Sequence, residues 1–179
     1  NNGAMGFELK NKTIGIIGLG NIGRRFAEIL NFFGSNIITY NRNIKNKSGI
    51  KDVSLDELLE SSDIICISCS VNDDSKGLIN MNNIVKVKKG VVIIGCTWNI
   101  IEYSAIIHAL ENKIISSISF DAAVEGGSAV EKKLSSFKER VFLTPHIAYN
   151  TVESEKNQID ILINNISSFS VGNPQNIVF

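Results

Sequence analysis

Residues 14–23 read Ile14-Gly15-Ile16-Ile17-Gly18-Leu19-Gly20-Asn21-Ile22-Gly23, an apolar run that feeds directly into a G-x-G-x-x-G turn. The run Thr13 to Ile17 is short and mostly β-branched, as a strand buried on both faces of a parallel sheet should be. Beyond the turn the apolar period changes. Ile22, Phe26, Ile29, Leu30 and Phe33 recur at spacings near three and four, the pattern of one helix face, and Gly34 follows as a C-terminal cap. Ile37 to Tyr40 reads as a second strand and completes a βαβ unit. In this context each glycine has a separate task. Gly18 permits the turn off the strand, Gly20 lets backbone amides approach a pyrophosphate, and Gly23 lets the helix pack close to the sheet. With Asn21 and Ile22 between them, they place a dinucleotide's phosphates on a helix N-terminus, where unpaired N–H groups and the helix dipole supply positive character.

The rest of the chain continues the alternation. Ser54-x-x-Glu57 is a capping box for a helix through Leu55, Leu58 and Leu59, and Ile64 to Ser70 is a strand. Asn72-Asp73-Asp74-Ser75 is a polar turn, Asn82 to Lys88 a short helix, and Val91 to Ile94 a strand. Tyr103 to Leu110 is a helix, Ile114 to Phe120 and Val141 to Leu143 are strands, and Val152 to Phe169 is a long C-terminal helix. Strands alternating with helices imply a doubly wound, Rossmann-like α/β fold, a parallel sheet covered on both faces, with a C-terminal helix. The expected organisation is a leader or tag remnant over residues 1–6, a dinucleotide-binding domain over 7–150, and a helix and tail over 151–179.

Composition narrows the class. The chain has 179 residues, 44% of them hydrophobic, which suffices for one substantial core. Eighteen basic and eighteen acidic residues cancel, so net charge favours neither nucleic acid nor an anionic membrane surface as a partner. No apolar run approaches the roughly twenty residues that span a bilayer. The first residues lack a signal peptide's apolar region, so a cytoplasmic location is expected. Cys66, Cys69 and Cys96 lie in or beside strands and are odd in number, which argues against a disulfide framework, and Cys66-x-x-Cys69 lies in an apolar strand with no second pair to complete a metal site, so these two read as buried strand cysteines.

Together with the glycine turn, Ser54 to Ile64, Phe120-Asp121 and Leu143-Thr144-Pro145-His146-Ile147-Ala148 resemble the D-isomer-specific 2-hydroxyacid dehydrogenases over about residues 7–179. The resemblance implies hydride transfer between a nicotinamide cofactor and C2 of a small 2-hydroxy or 2-keto acid. It implies His146 as general acid/base, a task suited to imidazole because it titrates near working pH. It also implies Asp121 at the nicotinamide amide, with Ser70, Cys96 and Thr97 in the cofactor site. At the position of the family's carboxylate-binding arginine stands Trp98, whose indole offers one neutral donor where guanidinium offers five and a charge. The family's glutamate falls by count on Gly126, leaving Glu125 one residue short.

Two further departures concern cofactor and extent. The acid expected on the adenosine ribose is Asn41, followed by Arg42 with Lys45 and Lys47 near, which favours NADP(H) over NAD(H). The family's substrate domain, half of which precedes the glycine turn, has no counterpart here, so the apolar side of the last helix (Ile159, Leu162, Ile163, Ile166, Phe169) needs cover from a partner subunit, the nucleotide domain or further sequence. A homo-oligomer, a dimer, is expected. The alternatives to an active dehydrogenase are a dinucleotide-binding sensor or structural subunit that has lost its chemistry, and a truncated copy of an active enzyme.

Overall fold

A computed structural model of the protein describes residues 6–42, 49–121 and 127–177. The elements in chain order are β1 (Thr13–Ile17), α1 (Asn21–Phe32), β2 (Asn36–Tyr40), β3 (Lys51–Asp52), α2 (Leu55–Ser61), β4 (Ile64–Ile67), β5 (Val91–Gly95), α3 (Tyr103–Glu111), β6 (Ile115–Asp121), α4 (Gly127–Ser135), β7 (Val141–Thr144) and α5 (Val152–Ser170). The seven strands form one sheet in the order β3-β2-β1-β4-β5-β6-β7, with every pair parallel. The chain divides into two compact units, Asn1–Pro145 and His146–Phe179.

The sheet is double-sided because its central strands are apolar throughout. All four residues of β4 and four of the five in β1 are buried. Side chains alternate across β1: Ile14 and Ile16 join Ala27 and Leu30 of α1 in one cluster. Gly15 faces the other way, where a Cβ would stand 2.6 Å from Leu58 of α2. The second cluster gathers Leu58 and Leu59 of α2 with Ile65, Ile67, Ile93, Ile118 and Phe120 of the strands and Ala105, Ile106 and Ala109 of α3. Each such aliphatic side chain, removed from water, stabilises the fold by about 1.5–3 kcal/mol. The strand starts are tied by polar bonds as well. Asp63, just before β4, accepts the Thr13 N–H at 2.9 Å and pairs with Lys88 Nζ at 2.7 Å. Ser54 caps α2 by accepting the Glu57 N–H at 3.1 Å, as the capping box predicts.

Besides the short strand β3, which the sequence pattern does not announce, the structure differs from that pattern in four places. On α1 the buried residues are Gly23, Ala27 and Leu30, while Ile22, Ile29 and Phe33 are exposed. The small residues at 23 and 27 let the helix approach the sheet, and that rotates the larger apolar residues outward. Residues 82–88 form only a short 3-10 turn, Ile84–Lys86, because Asn80 and Asn83 draw the backbone into side-chain bonds (Asn80 N–H to Asn83 Oδ1, 2.8 Å). The strand expected to reach Ser70 stops at Ile67, so Cys66 is buried in β4, whereas Cys69 is half-buried beyond it and Cys96 is exposed. Helix α4 escapes the pattern because Val130 and Leu134 are its only large apolar residues. Among the described residues, no helix is long and apolar enough to cross a membrane.

Candidate nucleotide-binding site

In this strand order the chain reverses direction between β1 and β4, leaving β2 and β3 on one side and β5 to β7 on the other. Loops leaving the carboxyl ends of such neighbours diverge and open a crevice, the usual ligand position in open α/β sheets. A cleft of about 380 Å³ lies there, lined by Gly18, Leu19 and Gly20 from the first turn, Asn41 and Arg42 after β2, and Cys69, Ser70, Asn72, Asp74 and Ser75 after β4.

Two of the three motif glycines answer to the protein's own packing. Gly18 has φ +93°, and a Cβ there would meet Cys69 Cβ at 2.6 Å. A Cβ on Gly23 would lie 2.2 Å from the Gly18 carbonyl oxygen, which also accepts the Ser68 hydroxyl at 2.7 Å. Gly20 is different, because a Cβ on it would meet nothing within 4 Å. The space beside it is thus left open at the start of α1. That helix has no side-chain cap and no acid in its first turn, so the N–H groups of Asn21, Ile22 and Gly23 have neither intrahelical acceptors nor a competing carboxylate. This donor set suits a pyrophosphate.

After β2, Asn41 is held at both ends of its amide. Its Oδ1 accepts the Leu19 N–H at 2.6 Å and its Nδ2 donates to Thr39 Oγ1 at 3.1 Å. The Thr39 hydroxyl donates in turn to the Ile16 carbonyl. An asparagine therefore suits the protein here irrespective of the cofactor. Arg42 forms an ion pair with Asp74 across the cleft. Lys45 and Lys47 lie outside the described residues.

The cleft brings together Gly18, Gly20, Asn41, Arg42 and Ser70 of the expected residues. Asn21, Ile22 and Gly23 adjoin it as the first turn of α1. Cys96, Thr97 and Asp121 stand farther along the same strand ends and do not line it. Thr97 Oγ1 donates to the Cys69 carbonyl at 3.3 Å, and Asp121 Oδ1 accepts from Thr144 Oγ1 at 2.5 Å. Burial pushes the Cys66 thiol far above its ordinary range and raises that of Cys69, which makes neither a ready nucleophile.

Trp98, at the position of the family's carboxylate-binding arginine, is a core residue. It is 5% exposed, and its ring meets Phe120 edge-on at 4.7 Å within the main core cluster. A flat apolar ring fits there, and no face of it is left for a carboxylate. Glu125 and Gly126 lie outside the described residues. His146 opens the second unit with φ +57°, uncommon for a residue with a Cβ, and its ring meets Tyr149 edge-on at 5.6 Å. Within that unit, Ile159, Leu162, Ile163, Ile166 and Phe169 of α5 are all exposed.

Asn72, Asp74 and Ser75 were legible only as a polar turn. The signal for their role is positional, since they follow the strand that neighbours β1 at the reversal point.

Comparison with known proteins agrees with this geometry. Residues 1–148 match the family described as D-isomer specific 2-hydroxyacid dehydrogenase, NAD binding domain. The hydroxypyruvate reductase of Blautia hydrogenotrophica is 32% identical over 176 residues, covering 96% of this chain and 54% of that protein. The crystal structure of a glyoxylate reductase from Paecilomyes thermophila superposes with a TM-score of 0.83 at 34% identity, over 93% of this chain and 52% of that one. An acyclic imino acid reductase (Bsp5), solved with NADPH and D-Arg, gives a TM-score of 0.86 at 29% identity, over 98% of this chain and 56% of that one. The chain thus spans about half the length of the relatives it matches. With residues 1–148 matched, from before the glycine turn to beyond β7, the chain belongs to the D-isomer-specific 2-hydroxyacid dehydrogenase family, through its NAD-binding domain.

Proposed function

We propose that this chain supplies the cofactor-binding part, and His146, of an NAD(P)-dependent oxidoreductase that moves hydride between nicotinamide and C2 of a small 2-hydroxy or 2-keto acid. The observation that carries the reading is the uncapped start of α1 beside Gly20, open to a cleft at the β1/β4 reversal point. When bound there, the cofactor supplies or accepts the hydride. The chain's own residues hold and orient it. The N–H groups at the start of α1 would hold the pyrophosphate, Asn41 and Arg42 the adenosine ribose, and, as the resemblance implies, Ser70, Cys96, Thr97 and Asp121 the nicotinamide half. By the family resemblance, His146 would give or take the proton of the substrate hydroxyl, and Glu125 is the acid nearest in sequence to the family's orienting carboxylate. The substrate is held by groups other than Trp98, which is occupied in the core.

NADP(H) is favoured over NAD(H) in this reading. Arg42 beside a neutral Asn41 supports it, because an acid at the end of β2 would repel a 2′-phosphate. Homodimer assembly belongs to the same reading, supported by the exposed apolar residues of α1 and α5.

Consumption of reduced cofactor with glyoxylate or hydroxypyruvate tests the chemistry. Turnover is expected, and His146→Asn should lower it roughly 10²–10⁴-fold while leaving cofactor affinity intact. Saturable cofactor binding without turnover on any 2-keto acid would instead leave a nucleotide-binding subunit without chemistry, the reading that the absence of a cation at position 98 favours.

A further inference from the structure

We propose that Asp74 sets the cofactor preference of this cleft by competing with a 2′-phosphate for Arg42, an inference that rests on the nucleotide-binding reading above. Arg42 leaves the end of β2 and Asp74 lies in the turn after β4. These two strands flank β1, so their loops face each other over the glycine turn. The guanidinium and the carboxylate form an ion pair, with side chains 59% and 67% exposed. An ion pair so open to water adds little to fold stability, so its consequence lies in what else can reach its partners.

The turn fixes the backbone that carries the carboxylate. Asn72 Oδ1 accepts the N–H groups of Asp74 and Ser75, each at 3.1 Å. Ser75 Oγ in turn accepts the Asn72 N–H at 2.8 Å and donates to the Ser70 carbonyl at 2.8 Å. The Asp74 backbone is thereby held on the cleft wall, with its carboxylate paired to Arg42.

The two cofactors meet this pair differently. A 2′-phosphate brings close to two negative charges to the end of β2, where an unengaged Arg42 would take two of its oxygens side by side. Asp74 opposes that twice, by holding the guanidinium and by adding a like charge. A 2′-hydroxyl carries no charge and has a proton to donate, so Asp74 does not penalise it. Arg42 and Asp74 thus pull in opposite directions, and the native cleft admits both cofactors with the preference for NADP(H) blunted.

Fluorescence titration of NADH and NADPH against the wild-type chain, Asp74→Asn, Arg42→Gln and the double variant tests this. Asp74→Asn should tighten NADPH roughly threefold to tenfold and change NADH by less than about twofold, and the gain should shrink in the Arg42→Gln background. Unchanged or weaker NADPH binding in Asp74→Asn, with NADH binding intact as evidence of folding, would overturn the proposal, weaker binding because Asp74 would then be aligning Arg42 for the phosphate. A wild-type chain that binds neither reduced cofactor would overturn the nucleotide-binding reading itself, and this inference with it.

Discussion

Asn41 Nδ2 donates to Thr39 Oγ1 at 3.1 Å, and that hydroxyl donates in turn to the Ile16 carbonyl at 3.1 Å. The relay needs a donor at position 41. Asn41→Asp would set a carboxylate oxygen against a hydroxyl whose proton is already engaged, although Leu19 N–H could still be accepted. The expected cost is about 1 kcal/mol of stability, read as a lower midpoint in thermal or urea unfolding. The same variant should weaken NADPH roughly tenfold or more and leave NADH equal or tighter, because the new charge faces the ribose. Equal loss of both cofactors would point to a collapsed turn.

Gly23 and Gly20 should separate packing from ligand space. A Cβ at Gly23 would stand 2.2 Å from backbone, and the Gly18 carbonyl cannot move without shifting the turn. Gly23→Ala should cost roughly 3 kcal/mol, the upper range of overpacking. Gly20→Ala meets no atom within 4 Å, so stability should change by less than about 1 kcal/mol while cofactor binding falls at least several-fold. Denaturant unfolding beside a cofactor titration reads both.

Asp63 gives a pH signature. Burial pushes its carboxyl up, but the Lys88 ammonium and the Thr13 N–H outweigh this and hold it below its ordinary value of 3.8. The folded state therefore binds this proton less readily than the unfolded chain. The resulting stability is complete above pH 3.8 and fades as pH falls through the lower folded value. Asp63→Asn should cost about 1 kcal/mol at neutral pH and flatten the acid limb of the unfolding curve below pH 4. An unchanged acid limb would mean that the ties to β1 and Lys88 contribute nothing.

Trp98→Arg is a direct check on the core assignment. The change would place a guanidinium against Phe120 in a site only 5% exposed, with an expected cost of roughly 3 kcal/mol or more. A stable Trp98→Arg variant with new or faster turnover would show that position 98 reaches substrate after all.

Much of this was legible in the chain itself. The β1 turn and α1 announced themselves because strand period, glycine spacing and helix period change in order within twenty residues, and Ser54 with Glu57 marks the start of α2. The face of α1 was misread because packing distance decides which apolar residues turn inward, and Gly23 and Ala27 count for little in a hydrophobic pattern. The burial of Trp98 was not legible for a related reason. Its position matches a functional arginine, but whether a ring points to cleft or core depends on Phe120, twenty-two residues away in sequence. The Arg42–Asp74 pair joins loops brought together only by the strand order, which local sequence does not encode.

The central claim is that the uncapped start of α1 beside Gly20 receives a nicotinamide dinucleotide. Titrating NADH and NADPH against the wild-type chain and Gly20→Val, with fluorescence as readout, tests it most directly. Saturable binding of at least one cofactor by the wild type, lost in a Gly20→Val variant that still unfolds cooperatively, is the predicted result. Equal binding by both proteins, or none by the wild type, would contradict it.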